Sequence, residues 1–284
     1  MLLSDFIRRG SASLETLYPS PEARGLVLML CEERLGVKSY THIVEPGYEI
    51  PADRLAELEG ELGRLAAGEP IQYVLGYADF CGRRFRVNPS VLIPRPETEL
   101  LVGEAVSELL ARERPCRALD LCTGSGCIAW SLALEVRGTE VVAVDISDDA
   151  LAVARSQFEE ETGPLFVKAD VLDTEQPFGH GEFDVLVCNP PYVMDSERAR
   201  MRPNVLEHEP ELALFVPDSD PLKFYRAAAR WAQRFLRADG VGIVEINEAL
   251  GPGTEAVFRE AGFGKTQIIR DFASKSRFVK FSRA

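Results

Sequence analysis

Apolar and polar positions along the chain follow two regimes. In the first 70 residues the apolar positions recur at three- and four-residue spacing. Leu26, Leu30 and Leu35, with Glu33, belong to one amphipathic stretch begun by Pro21-Glu22. Leu55, Leu58, Leu62 and Leu65 belong to another that Pro51 opens and Gly68 closes. No strand pattern occurs here, so residues 1–70 are expected to form a small helical domain. Ile71-Gln72-Tyr73-Val74-Leu75 and Phe85-Arg86-Val87 flank a Cys81-Gly82 turn, and the segment 71–96 reads as a β-hairpin linker. It ends in Ile93-Pro94-Arg95-Pro96-Glu97-Thr98-Glu99, where two prolines forbid further strand pairing and Glu97 restarts a helix.

From residue 97 to 284, short apolar runs alternate with helical patterns. The expected strands are Arg117–Leu121, Glu140–Asp145, Pro164–Lys168, Phe183–Cys188 and Val241–Ile246, with two more at Lys265–Arg270 and Arg277–Phe281. The clearest helices are Ile128–Glu135, Asp148–Glu160, Leu222–Leu236 and Gly253–Glu260. Such alternation predicts an α/β domain, a mostly parallel sheet with helices on both faces. The short connection between the last two strands predicts a closing antiparallel pair.

Two motifs fall at strand ends. The first strand runs into Cys122-Thr123-Gly124-Ser125-Gly126-Cys127-Ile128-Ala129, a glycine turn that lets the backbone approach a nucleotide-like ligand. The second ends at Asp145, placed to accept both hydroxyls of a ribose. The third leads into Ala169-Asp170-Val171, a loop suited to facing an adenine ring. Gly124, Gly126 and Ala129 also satisfy a dinucleotide fingerprint, which leaves an NAD-binding oxidoreductase open. Asp120 decides for S-adenosylmethionine, because a carboxylate on the first strand repels a pyrophosphate and attracts a methionine ammonium.

The fourth strand ends in Asn189-Pro190-Pro191-Tyr192, at the same sheet edge. An exocyclic NH2 on an sp² carbon is a poor nucleophile because its lone pair is delocalised. The Asn189 side-chain oxygen and the Pro190 carbonyl supply two acceptors for its N–H bonds, and paired prolines fix both in place. Those bonds strengthen as charge builds on nitrogen. Tyr192 is expected to pack its ring against the flat amide. An N-P dipeptide is also an ordinary turn signal, but its position after strand four favours chemistry.

With these residues in view, the chain resembles the PrmC/HemK family of protein-(glutamine-N5) methyltransferases over nearly its whole length. The resemblance rests on Gly68-Glu69-Pro70-Ile71-Gln72-Tyr73-Val74-Leu75-Gly76, on Leu92 through Glu99, on the glycine turn, on Asn189 through Tyr192, and on Glu209-Pro210-Glu211-Leu212-Ala213-Leu214. It implies a class I, Rossmann-like methyltransferase fold with a helical domain that helps to dock the substrate. It implies transfer of a methyl group from S-adenosyl-L-methionine, leaving S-adenosyl-L-homocysteine, to the glutamine of the Gly-Gly-Gln tip of class-1 peptide-chain release factors. The expected cofactor positions are Asp120, Cys122, Thr123, Gly124, Ser125, Gly126, Asp145, Ile146, Asp170, Val171 and Asn189. The substrate amide falls to Asn189, Pro190, Pro191 and Tyr192, with Asn189, Pro190 and Tyr192 catalytic. Three positions depart from the family pattern: Pro221, Asn247 and Ser274 stand where glycine is usual, which affects loop geometry rather than chemistry. An N6-adenine nucleic-acid methyltransferase using the same acceptor pair is the alternative.

Composition narrows the choice. At 284 residues and 46% apolar, the chain can bury a sizeable core. Its net charge of −13 lowers the case for nucleic acid, and no direct DNA binding is expected. Arg83-Arg84-Phe85-Arg86, the densest basic run, reads as a solvated hairpin. No apolar run approaches a membrane span, and the charged N-terminus does not resemble a signal peptide, so a cytoplasmic monomer is expected. Six cysteines without a C-x-x-C pair and three histidines (His42, His180, His208) argue against a metal site or a disulfide framework. His208 reads as a solvated loop residue, Asp148-Asp149 as the capped start of a helix, and Trp130 and Trp231 as core.

Overall fold

The computed structural model describes residues 1–159, 163–173 and 182–283. The chain forms two compact units. One is Met1–Tyr77 with Arg202–His208, and the other is Ala78–Met201 with Glu209–Ala284.

In the first unit, α1 (Leu3–Leu14), α2 (Ser20–Leu35), α3 (Thr41–Val44), α4 (Ala52–Ala66) and α5 (Ile71–Leu75) follow one another. Phe6, Ile7 and Leu14 of α1 bury against Val27 and Leu30 of α2 and Leu58, Leu62 and Leu65 of α4. The five residues of α5 correct the hairpin expectation. Ile71, Tyr73 and Val74 have high strand propensity, but Pro70 starts a helical turn, Gly76 ends it at φ 84°, and Ile71 and Val74 join the helical core.

The hairpin itself is β1 (Tyr77–Phe80) and β2 (Arg83–Arg86), reversed through Cys81 and Gly82, both at positive φ. There follow α6 (Thr98–Leu110), β3 (Arg117–Leu121), α7 (Cys127–Glu135), β4 (Glu140–Asp145), α8 (Asp148–Arg155), β5 (Leu165–Lys168), β6 (Phe183–Cys188) and β7 (Val193–Met194). The segment Arg202–His208, which carries α9 (Pro203–His208), belongs with the helical unit. There His208 ends a helix, half-buried, with its Nε2 buried and unpartnered, and is not a solvated loop residue. Then come α10 (Glu211–Leu214), β8 (Phe215–Val216), α11 (Lys223–Phe235), β9 (Leu236–Glu245), α12 (Gly251–Glu260), β10 (Lys265–Arg270) and β11 (Ser276–Ser282). Glu160, expected to end the helix from Asp148, and His180 lie outside the described residues.

The main sheet has the order β10-β11-β9-β6-β3-β4-β5. Strands β3, β4, β5, β6 and β9 are parallel, and β11 and β10 close the edge antiparallel. Alternate strand residues face opposite layers. Ala118, Ala143 and Val185 meet α6, α7 and α8, while Leu119, Val144 and Leu186 meet α11 and α12. The register matters most for function. Leu121 stands beside Val144 and Cys188, Asp145 beside Lys168, and Cys188 beside Val244. The residues that follow these strands therefore converge at one sheet edge, where open α/β sheets bind ligands.

Near the opposite end of β6, the carboxylate of Asp184 is fully buried among guanidinium groups. Arg114 donates to it, the Arg117 amide donates at 2.8 Å, and Arg237 Nε lies 3.2 Å away.

Candidate active site

A cavity of about 480 Å³ opens at the C-terminal edge of the parallel strands, within the size range of small-molecule sites. The glycine turn forms one wall through Cys122, Thr123, Gly124 and Ser125. Gly124 has φ 54°, and a Cβ there would meet nothing within 4 Å, so its backbone stands open to the cavity. Gly126 has φ 79°, and a Cβ would come within 2.9 Å of the Ala154 Cβ, so glycine is required twice over. Cys122 holds φ 61° without being glycine, local strain of the kind that collects at functional sites.

Asp145 ends β4 beside this wall. One oxygen accepts from the Gly124 amide at 2.8 Å, the other from the Ser147 amide at 3.0 Å. Burial pushes its carboxyl up, and these amides oppose the shift. Each oxygen retains a lone pair for a ribose hydroxyl. Ile146, Ala169, Asp170 and Val171 continue the lining. Ile146 is exposed although apolar, a surface suited to an adenine face. The Val171 carbonyl is fixed by the buried indole of Trp231 at 3.0 Å, and Trp130 is likewise core. Ser147 caps α8 by accepting from Ala150, with Asp148 and Asp149 in the first turn.

Asn189, Pro191 and Thr98 line the same cavity. Asn189 Nδ2 donates to Thr98 Oγ1 at 3.3 Å, and Thr98 Oγ1 donates to Glu245 Oε2 at 2.7 Å. The Tyr192 hydroxyl donates to Glu245 Oε1 at 2.9 Å. Thr98 and Glu245 are buried. Desolvation raises the carboxyl of Glu245, and the two hydroxyl donors hold it back. Asn247 braces the same loop: its Nδ2 donates to the Tyr192 carbonyl at 3.2 Å and to Glu197 at 2.8 Å. Arg95 pairs with Glu209 at 2.5 Å, and Glu209 also accepts the Ile93 amide. That contact ties Ile93-Pro94-Arg95 to the Glu209-Pro210 segment at the cavity rim.

Two family models match the chain. The PrmC N-terminal domain covers residues 5–76, and the methyltransferase small domain covers residues 98–209. The release factor glutamine methyltransferase of Bacteroides thetaiotaomicron is 42% identical over 274 residues, 95% of this chain and 96% of the relative. That of Flavobacterium psychrophilum is 36% identical over 99% of both chains. The chain belongs to the release factor glutamine methyltransferase family. A solved methyltransferase of Pyrococcus furiosus shares the fold, with TM-score 0.50 at 16% identity over 81% of this chain and 98% of the other. The chain is thus an S-adenosylmethionine-dependent methyltransferase.

In this methyltransferase most of the residues expected at the site share one cavity. Four do not line it: Asp120, Gly126, Pro190 and Tyr192. Asp120 is fully buried behind the glycine turn, on the face that meets α7. Its Oδ2 accepts from Thr123 at 2.6 Å, while Oδ1 is buried without a partner. Burial and the charge of Asp145 push its carboxyl up to about 7, against the Thr123 hydroxyl and the Ala129 amide. Any attraction for an ammonium therefore acts through the turn rather than by contact. Tyr192 sends its hydroxyl to Glu245 instead of presenting its ring to the cavity. Thr98, in the segment Leu92 through Glu99, and Glu245, in the expected strand Val241–Ile246, carry no local signal that marks them for the site. Asn247, flagged only as a departure, is integral to the site. Among the described residues no cluster of potential metal ligands occurs, and no helix is long and apolar enough to cross a membrane.

Proposed function

We propose that this enzyme methylates the side-chain amide nitrogen of the glutamine in the Gly-Gly-Gln motif of peptide-chain release factors, as a cytoplasmic monomer whose helical N-terminal domain, residues 1–70, docks the substrate. Relatives named for that activity over nearly the full chain support the reading. The observation that carries it is that Asn189 lines one cavity together with the glycine turn and Asp145.

The residues present fit the cofactor. Asp145 would hold the ribose, Ile146 and the Asp170-Val171 loop the adenine, and the turn from Cys122 to Ser125 the amino-acid portion. When bound, S-adenosylmethionine supplies an electrophilic methyl carbon. The protein's task is to make an amide nitrogen act as nucleophile. Asn189 Oδ1, on a residue that lines the cavity, accepts an N–H bond, holds the nitrogen there and strengthens its hold as that bond becomes acidic. The apolar lining, including Leu212 and Phe224, keeps water from competing for that acceptor. Asn189→Ala is expected to lower methyl transfer about 10²–10³-fold while cofactor affinity by calorimetry changes little. A rate within a few-fold of wild type removes Asn189 from the mechanism.

A further inference from the structure

An asparagine amide presents either an acceptor or a donor, depending on which way round it lies, and the chemistry above works in only one orientation. The hydrogen bonds behind Asn189 determine it. A carboxylate only accepts. Glu245 takes one hydroxyl proton on each oxygen, from Thr98 at 2.7 Å and from Tyr192 at 2.9 Å. A threonine hydroxyl has a single proton, and Thr98 has given it to Glu245. Toward Asn189 it can only accept, and at 3.3 Å it takes Nδ2–H. With NH2 turned inward, Oδ1 is left for the cavity that Asn189 lines. Thr98 and Glu245 lie 147 residues apart in the chain, on α6 and at the end of β9. Both are buried, so water does not compete for these bonds.

We propose that Thr98 and Glu245 are positioning residues that orient the Asn189 amide with its oxygen toward the substrate nitrogen, and that Glu245, through Tyr192, also fixes the loop that carries it. The proposal rests on the reading of Asn189 as the substrate acceptor and adds what enforces its polarity. Glu245→Gln is expected to invert the chain. The amide has one oxygen for the two hydroxyls that Glu245 accepts, and where its NH2 faces Thr98 that hydroxyl becomes a donor toward Asn189, which then presents its own NH2 to the substrate nitrogen, donor against donor.

The test compares Thr98→Val, Thr98→Ser and Glu245→Gln, each alone and combined with Asn189→Ala. Turnover and KM are measured with labelled S-adenosylmethionine and a release factor, alongside cofactor affinity by calorimetry. Thr98→Val should lower kcat about tenfold, the worth of one net hydrogen bond, with cofactor affinity unchanged. Thr98→Ser should retain most of kcat because it keeps the hydroxyl. Glu245→Gln should lose about 10²-fold, approaching Asn189→Ala. In the Asn189→Ala background Thr98→Val should have little further effect, since it acts through the missing amide, and Glu245→Gln should keep only the smaller part of its loss that acts through Tyr192. Equal losses in Thr98→Val and Thr98→Ser, or undiminished losses in the Asn189→Ala background, would overturn the proposal. So would wild-type kcat in Thr98→Val with Asn189→Ala inactive, which leaves the acceptor reading standing. An active Asn189→Ala enzyme would instead overturn that reading and the proposal with it.

Discussion

Asp120 offers a stability test with a defined sign. Its carboxyl is fully buried, has one hydroxyl donor, and is pushed up to about 7 from an ordinary 3.8. The unfolded chain gives up this proton near pH 4, and the folded protein keeps it until about pH 7. Between those values the unfolded state binds fewer protons, so stability falls as pH rises, and above pH 7 the loss is complete. About 3 pK units at 1.36 kcal/mol each gives a cost of at most about 4 kcal/mol. Asp120→Asn keeps the shape and the acceptor for Thr123 but does not ionise. Measured by urea unfolding from pH 4 to 8, the mutant should gain on wild type steadily up to pH 7 and hold that gain above it. Loss of the negative charge should at the same time weaken S-adenosylmethionine binding at pH 8 about tenfold, since an ammonium is attracted through a partly desolvated wall. Stability would then have been given up at this position for ligand affinity. Parallel stability profiles of mutant and wild type, or unchanged affinity at pH 8, would refute the reasoning.

Other positions give further expectations. Ser274 holds φ 62°, a conformation costing a non-glycine residue about 1–2 kcal/mol, so Ser274→Gly should raise the midpoint of thermal unfolding; a lower midpoint would show that the serine is needed there. Asp184→Ala removes the fully buried carboxylate that partly exposed guanidinium groups bond to and should destabilise by about 1.5–3 kcal/mol in denaturant titrations, the worth of hydrogen bonds to a charged group. Its guanidinium partners hold the Asp184 carboxyl below its ordinary value, so that contribution is present above the unfolded pKa and fades as pH falls through the lower folded one. Asp145→Ala removes the acceptor for the Gly124 and Ser147 amides together with the ribose contacts, and cofactor affinity in titrations should fall about 10–100-fold, as loss of one or two hydrogen bonds to a charged group implies; unchanged affinity would contradict the placement.

The sheet was legible because its central strands are buried on both faces. Strands β3, β4 and β6 are apolar runs whose ends match the expected limits residue for residue. Errors arose where tertiary contacts override local pattern. The helix from Asp148 was read through to Glu160, but α8 stops at Arg155. Gln157 leaves the helical path to bond the backbone of Arg86 in both directions and the Ser125 carbonyl. The helix expected over Leu222–Leu236 stops at Phe235, and the strand expected from Val241 begins instead at Leu236, which pairs with Phe183 although Asp239 and Gly240 are poor strand formers. Ile71–Leu75 reads as a strand from its β-branched and aromatic residues, yet Pro70 and Gly76 bracket a helical turn.

For the site, the glycine turn, Asp145 and Asn189 were legible because each follows a recognisable strand. Glu245 was not, since nothing in linear spacing joins it to Asn189. Only the parallel register that sets Val244 beside Cys188 brings the two together. The burial of Asp120 was equally hidden, because a carboxylate in an apolar strand reads the same whether it lines a cavity or supports the turn behind it.

The most direct test of the account is methyl transfer from labelled S-adenosylmethionine to three substrates: a release factor, the same factor with its Gly-Gly-Gln glutamine changed to alanine, and duplex DNA. The account predicts label on the intact factor alone. Equal label on the alanine variant, or label on DNA and none on the factor, would contradict it.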